Sequence, residues 1–497
     1  MKLRHLLFGL LAGVAFVACT NDDDPAGVTP ADGNKVASAD MFMAVNLKMP
    51  SGAATRADVQ TTEETAVNKV TFLFFKGDEQ VADPFPVTLT NGKGTDAIGE
   101  EWTPGNGSPK APVIVLHNPS DYPTSLVVLI NYGGTVAKAT KLSALQDIVA
   151  DYSATNSGFV MSNSVYNDAA GNVIGAPVTS ANIKNTAADA KTAPVKVYVE
   201  RVLAKVSVTS SLSKDAPISD DEDEKVTVNI TGWTLAYVNS QSYLIKKLNK
   251  TYSYDWTWND PTNHRSYWAE SATYKAATGT AYNKPTALGA TLYAQESTSF
   301  TKFTPKAATN PTAVIVNATL KYNGTAQDLF KYYGVVYPAE EILNRLYNEN
   351  SIAEKYFKKD GDNLVSLTVN DLVLAKDASV GESYEAQVSL ALKEGVTAYN
   401  ADGTAASFTS SALTLEYWNE GQTYYYVPIK QVPDKDVFGI VRNHFYQLNV
   451  TKVQGLGTAV PDPSKVIIPE TPKEDDYYIA AEINILDWRS VEQNVEF

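Results

Sequence analysis

The stretch that most constrains this chain is its last, Tyr477 to Phe497 (YYIAAEINILDWRSVEQNVEF). Ala481, Ile483 and Ile485 fall on one face, Glu482 and Asn484 on the other. Beyond Trp488-Arg489, the residues Val491, Gln493, Val495 and Phe497 alternate with Glu492, Asn494 and Glu496. Period two over this length predicts β-strand. Chain ends fray unless something ties them down, so an apolar face here requires a partner. Two partners are open: the molecule's own sheet, or the sheet of another molecule.

The chain has 497 residues, 44% of them apolar, enough for more than one buried core and two domains. Its formal charge is −15. That balance argues against nucleic acid and against an anionic membrane surface as partners. Abundant tyrosine, 28 residues, together with Thr and Val, gives a β composition. The one cysteine, Cys19, excludes an intramolecular disulfide, and the four histidines, His5, His117, His264 and His444, are too dispersed for a zinc site. No metal and no cofactor is expected.

Met1 to Cys19 has a basic start (Lys2, Arg4), an apolar run from Leu6 to Val17, and then Ala18-Cys19. The run is too short to span a membrane and has the shape of a secretory signal. Phe16-Val-Ala-Cys19 resembles the lipobox of bacterial lipoproteins, in which the cysteine carries the lipid, with Phe16 where that motif prefers Leu. Asn21-Asp22-Asp23-Asp24 resembles the acidic tag of lipoproteins displayed on the outer face of the outer membrane. Its plainer reading is the start of a solvated tether running to Lys35.

Met41 to Pro50 (MFMAVNLKMP) is the first strand, with Met43, Val45, Leu47 and Met49 on one face. The small, polar stretch that follows has Arg56 as its one cation and is a good protease site. A protease with an acidic primary pocket would cut Arg56–Ala57, although most loop arginines are merely solvated.

Further strands are predicted at Val67–Lys76, Pro112–His117, Ser125–Tyr132, Val195–Val208, Val226–Val238, Ala313–Tyr322, Leu364–Leu374, Leu413–Tyr417, Tyr424–Lys430 and Phe445–Val450. Helical spacing appears in Lys141–Tyr152 and in Pro338–Phe357. The acidic run Ser219–Glu224 lacks the interleaving and turn glycine of a calcium loop and reads as a linker, which puts a boundary near 210. The chain is therefore expected to be mainly β, two β-sandwich, Greek-key-like domains in tandem with a few short helices. The divisions are a signal at 1–19, a propeptide with a removable strand at 20–56, domains at 57–210 and 211–475, and a terminal strand segment at 476–497.

Tyr252, Tyr254, Trp256 and Trp258 alternate with polar residues. Such a row could stack sugar rings, but its plainer reading is a sheet core or inter-domain contact. Asp360-Gly-Asp362-Asn363 lacks the bidentate Glu of a calcium site and reads as a turn. Gly455-Leu456-Gly457 is no dinucleotide fingerprint, and no GxSxG, Walker loop or HExxH occurs. Nothing points to an enzyme.

Several segments together resemble the fimbrillin family, specifically the major shaft subunits of short type V fimbriae of Gram-negative anaerobes. They include Val199-Glu200-Arg201-Val202-Leu-Ala-Lys205-Val206, Gly232-Trp233-Thr234-Leu235, Arg265-Ser266-Tyr267-Trp268-Ala269 and Tyr424-Tyr-Tyr-Val427-Pro428-Ile429-Lys430. Gly439-Ile-Val-Arg442-Asn443-His444-Phe-Tyr446, Gly455-Leu-Gly457-Thr458 and Ile483-Asn-Ile485-Leu-Asp-Trp488-Arg489 complete the set. The likeness runs from the lipobox to Phe497, and within it Arg442 and His444 read as structural.

The resemblance implies a palmitoylated lipoprotein precursor at the outer membrane, with its lipid on Cys19. An Arg-specific protease would cut it after Arg56, release the Met41–Pro50 strand, and make Ala57 the new amino terminus. The vacated, unpaired edge is a template for another strand. The carboxyl-terminal strand of a neighbour, carrying Ala481, Ile483, Ile485, Val491, Val495 and Phe497, would fill it head-to-tail. Partners would be further copies of the chain, anchor and tip subunits, and the protease, with adhesion, aggregation or biofilm formation as the outcome; the receptor stays unspecified. Two alternatives compete. One is a non-polymerising surface lipoprotein that binds glycans through Tyr252–Trp258. The other is an anchor subunit of the same fimbria, which would escape cleavage.

Overall fold

A computed structural model describes residues 41–48, 62–104, 111–117, 121–152, 158–164, 166–167, 173–219, 225–247, 270–272, 280–299, 311–432, 437–467, 479–486 and 491–493. The chain is mainly β, and among the described residues the helices are short.

The elements that matter below are, in the amino-terminal part, β1 (Met41–Lys48), α1 (Thr62–Thr65), β2 (Lys69–Lys76), β3 (Val113–Leu116), β4 (Ser125–Ile130), β5 (Met161–Asn163), α2 (Ala187–Ala190) and β6 (Val195–Arg201). These strands belong to one ten-stranded sheet, in which β1, β6, β5, β4 and β2 lie side by side and β3 pairs with β1. Most of the positions in β2 and every position in β4 are buried, as continuous Phe, Leu and Val runs require. Met43, Val45 and Leu47 share one core with Phe72, Phe74 and Val128.

β7 (Leu203–Ser210) begins just one residue after β6 ends but joins a different sheet. The single strand expected over Val195–Val208 is therefore two. Apolar residues occupy odd positions through Val199 and even positions from Val202, and the chain changes sheets where the phase slips. Position 210, the boundary expected from the sequence, is the last residue of β7, which packs in the second sheet rather than the first.

β8 (Val226–Ala236), β9 (Thr291–Gln295), β10 (Ala313–Tyr322), β11 (Leu329–Tyr332), α3 (Ala339–Glu349), β12 (Leu413–Trp418), β13 (Gln422–Pro428), β14 (Phe445–Val453), β15 (Ile479–Leu486) and β16 (Val491–Gln493) follow. One five-stranded sheet runs β9-β7-β14-β15-β16, and another contains β8, β10 and β13. Val206, Leu448 and Val450 from the first meet Val228, Val316 and Val427 from the second in one core, a β-sandwich. Between β10 and β13, which pair with each other, the chain makes an excursion containing β11, α3 and β12. There Ile342 and Leu346 of α3 share a separate core with Leu372, Val388 and Tyr417.

Three expected elements are shorter or broken. Lys141–Tyr152 forms helix only over Leu142–Gln146, then a short strand at Val149–Ala150. Pro338–Phe357 divides into Ala339–Glu349 and Ile352–Lys355 because Ser351 takes a left-handed backbone with φ 52°, which interrupts helical hydrogen bonding. Leu364–Leu374 divides into Asn363–Ser366 and Leu372–Asp377 around a 3-10 turn at Val369–Asp371. Asp371 closes that turn by accepting from the Thr368 backbone and hydroxyl, a local competition with the strand ladder.

Candidate assembly site

β1 is an interior strand. Along its first half it pairs antiparallel with β3, with Ala44 opposite Val113, and with Ile183–Lys184 on its other edge. Along its second half it runs parallel to β6, with Val45 opposite Val195 and Leu47 opposite Val197. Met43, Val45 and Leu47 are 0%, 0% and 3% exposed. Its other face is also covered, since Ala44 packs with Val113 and Ala190 and is itself fully buried. The β3 edge that faces away from β1 is held by the buried Asp96 carboxylate, which accepts from Val113 N at 3.0 Å. Removing β1 would thus leave unpaired backbone on two sides of an apolar groove.

The chain between β1 and α1 contains Arg56 and Ala57, which lie outside the described residues, as do Met49 and Cys19. Just beyond them, α1 is pinned. Glu64 is buried with its carboxylate 2.9 Å from Lys205 Nζ, and it accepts from the Tyr293 hydroxyl at 2.6 Å. Burial and this carboxylate push the Tyr293 hydroxyl well above its ordinary pKa, so it stays a neutral donor. Arg201 Nε donates to the Glu64 carbonyl at 2.8 Å.

The terminal strand occupies the molecule's own sheet. β15 pairs antiparallel with β14, placing Ala481 opposite Val450, Ile483 opposite Leu448 and Ile485 opposite Tyr446. β16 folds back on β15 at the sheet's edge, with Val491 opposite Ile485. Val495 and Phe497 lie outside the described residues, and so does the aromatic row Tyr252, Tyr254, Trp256 and Trp258.

The two most distinctive sequence segments meet where the sheets join. Asn443 N donates to the Leu203 carbonyl at 2.7 Å, and the Asn443 side-chain oxygen accepts from Arg201 N and Nη1, each at 3.4 Å. Asn443 has φ 58°, a conformation that Asn tolerates better than most residues. Gly439 has φ 120°, and a Cβ there would lie 2.2 Å from the Ser297 carbonyl oxygen.

Arg442 is fully buried; its Nε lies 3.1 Å from the Glu296 carboxylate. Its Nη1 and Nη2 donate to the Leu244 and Tyr243 carbonyls at 3.3 and 2.7 Å. Lys246 lies 3.1 Å from Glu200. Burial pushes Glu200 up and Lys246 down, with their mutual attraction opposing both. His444 Nδ1 donates to the Arg442 carbonyl at 2.8 Å. These are structural roles. The sequence marks Glu200, Arg201 and Lys205 as charges inside an apolar strand, but no motif marks their partners Glu64, Lys246 and Glu296. Among the described residues no cluster of His, Cys, Asp and Glu is suited to a metal, and no helix is long and apolar enough to cross a membrane.

The fold is that of a tandem β protein whose first described strand is interior to one sheet and whose last described strand lies at the edge of another. The family model for the major fimbrial subunit protein FimA matches residues 39–201. The model for the C-terminal part of major fimbrial subunit protein type IV, fimbrillin, matches residues 416–494. Matches to fimbrial subunit models over residues 39–201 and 416–494 support a fimbrial structural protein of the cell surface. No curated protein matches this chain.

Among solved structures, it is similar to a chain assigned to cell adhesion from Parabacteroides distasonis, at 13% identity and TM-score 0.40 over 92% of this chain and 98% of that one. It is similar to a fimbrilin from Porphyromonas gingivalis at 13% identity and TM-score 0.38 over 92% and 98%. A tip fimbrial protein of the same organism, with a C-terminal truncation, gives 11% identity and TM-score 0.31 over 90% and 100%.

Proposed function

We propose that this chain is the shaft subunit of a short type V fimbria and polymerises by protease-triggered donor-strand exchange. In this reading the precursor is a lipoprotein held at the outer membrane through Cys19. Cleavage at Arg56–Ala57 frees β1, and the terminal strand of a neighbouring copy replaces it. Anchor and tip subunits terminate the filament, which supports adhesion, aggregation or biofilm formation.

The observation that carries the reading is the position of β1. A strand at the very start of the described chain is paired on both edges and buried on both faces, so its loss cannot be silent. Met41, Met43, Val45 and Leu47 at about 1.5–3 kcal/mol each give a gross term of roughly 6–12 kcal/mol. Association costs about 4–15 kcal/mol, so burial alone does not secure the joint. Main-chain hydrogen bonds along both groove edges supply the remainder. Because a donor at one end meets an acceptor at the other, the contact stays open and builds a filament.

Treating the purified precursor with an Arg-specific protease should expose Ala57 as the new amino terminus and yield ladders on gels. Arg56→Ala should abolish both. Normal polymerisation by Arg56→Ala would remove the maturation step from the reading.

A further inference from the structure

We propose a register for the strand that enters the vacated groove: Ile479–Asn484 of a second copy take, residue for residue, the places of Met43–Lys48. The proposal rests on the donor-strand reading above and adds which residues are donated.

The groove is selective because its two walls ask for different things. Positions 43, 45 and 47 face the main core. Position 44 faces Val113 and Ala190 with no exposure at all, a slot that holds one methyl group. A larger side chain there would overpack it. Position 46 is half-buried and lies opposite Lys196, which is exposed.

Sliding the sequence from Tyr477 to Phe497 along these positions in β1's own direction leaves one fit. With Ala480 in the Ala44 slot, Ile479, Ala481 and Ile483 take the core positions of Met43, Val45 and Leu47. Glu482 then replaces Asn46 and faces Lys196, an opposite-charge pair across the ladder. Moving Ala481 into the slot instead drives Glu482 into the core. Seating the last residues, with Val495 and Phe497 at positions 45 and 47, puts Gln493 at position 43 and Asn494 in the slot. That buries two carboxamides where apolar groups now sit, at a cost of about 1–3 kcal/mol each when unpaired. In the subunit's own sheet, the β14–β15 register already slips at Ala481/Ala480, between Val450 and Lys452, so the ladder given up there is irregular.

The pairing also offers a direct readout. Val45 N donates to the Pro112 carbonyl at 3.0 Å, which makes position 44 and Val113 a non-hydrogen-bonded pair. Such pairs have Cα atoms about 4.5 Å apart, within the range a disulfide spans. The full chain carrying Cys19→Ser, Val113→Cys and Ala480→Cys, cleaved by an Arg-specific protease and oxidised, should give a reducible ladder of covalent oligomers. With Asn494→Cys in place of Ala480→Cys it should give none.

A ladder from Asn494→Cys but not Ala480→Cys overturns the register and leaves donor-strand exchange standing. Filaments that form with neither pair linked also overturn the register, whereas absence of any protease-dependent filament from the unaltered chain removes the exchange itself. Independently, Ala480→Leu should lower polymer yield at least about tenfold while the uncut precursor melts as the unaltered chain does. Undiminished polymer from Ala480→Leu would overturn the slot.

Discussion

The Glu64 carboxylate and the Lys205 ammonium lie 2.9 Å apart, 0% and 3% exposed, and join the first helix to the first strand of the second sheet. Glu64 also accepts from Tyr293, so one carboxylate ties three separate segments together. Removing one partner of such a pair leaves an uncompensated buried charge. Lys205→Ala should therefore lower stability by about 3–5 kcal/mol in urea unfolding followed by tryptophan fluorescence. Replacing both, as Glu64→Gln with Lys205→Met, should cost clearly less than the single change. Equal losses would show that packing, not charge, governs the junction.

Arg442 makes a stricter demand. Its guanidinium reaches the Glu296 carboxylate and two carbonyls, of Tyr243 and Leu244, from three different nitrogens. A lysine carries the charge but not the planar fork. Arg442→Lys should cost roughly 2–4 kcal/mol, the scale of losing charge-assisted hydrogen bonds and leaving buried carbonyls unpaired. A melting temperature unchanged by Arg442→Lys would contradict this assignment.

Acid should act on the excursion that contains α3. Burial pushes Asp371 up, but the Lys358 ammonium and the Thr368 backbone and hydroxyl outweigh it, so the carboxyl lies below its ordinary 3.8. A depressed folded-state pKa contributes stability that is present above the unfolded value and lost as pH falls through the folded one. Hydrogen exchange of Ile342 and Leu346 amides should therefore accelerate below pH 3.8. In Asp371→Asn that part of the pH dependence should vanish, with the exchange already faster at neutral pH.

How much of this was legible in the chain differs from element to element. The alternation of Met43, Val45 and Leu47 announced a strand, and Phe72 and Phe74 a buried one. That β1 lies between β3 and β6, parallel to the latter, could not be read, because such pairing is decided by residues about 150 positions away in sequence. The division of Val195–Val208 was visible in principle as the phase slip between Val199 and Val202. Glu64 was not, since a glutamate in a four-residue helix normally faces water, and only the fold brings it to Lys205. The terminal strand's period foretold β structure but left its partner open, because the same apolar face fits its own β14 and a foreign groove alike.

The last prediction separates the two lives of β1. Met43 is fully buried in the amino-terminal core, so Met43→Ala should destabilise the uncut precursor by about 2–5 kcal/mol. If cleavage discards this strand, filaments assembled from the same variant no longer contain the substitution. Their resistance to heat in detergent should match that of filaments from the unaltered chain, even if fewer form because less precursor survives. Ile479→Ala should show the reverse weighting, with its larger effect on the filament, because Ile479 is the first residue of β15 in the monomer and takes the Met43 position in the joint. Filaments weakened by Met43→Ala to the same extent as the precursor would mean that β1 is never released, and the exchange could not occur as described.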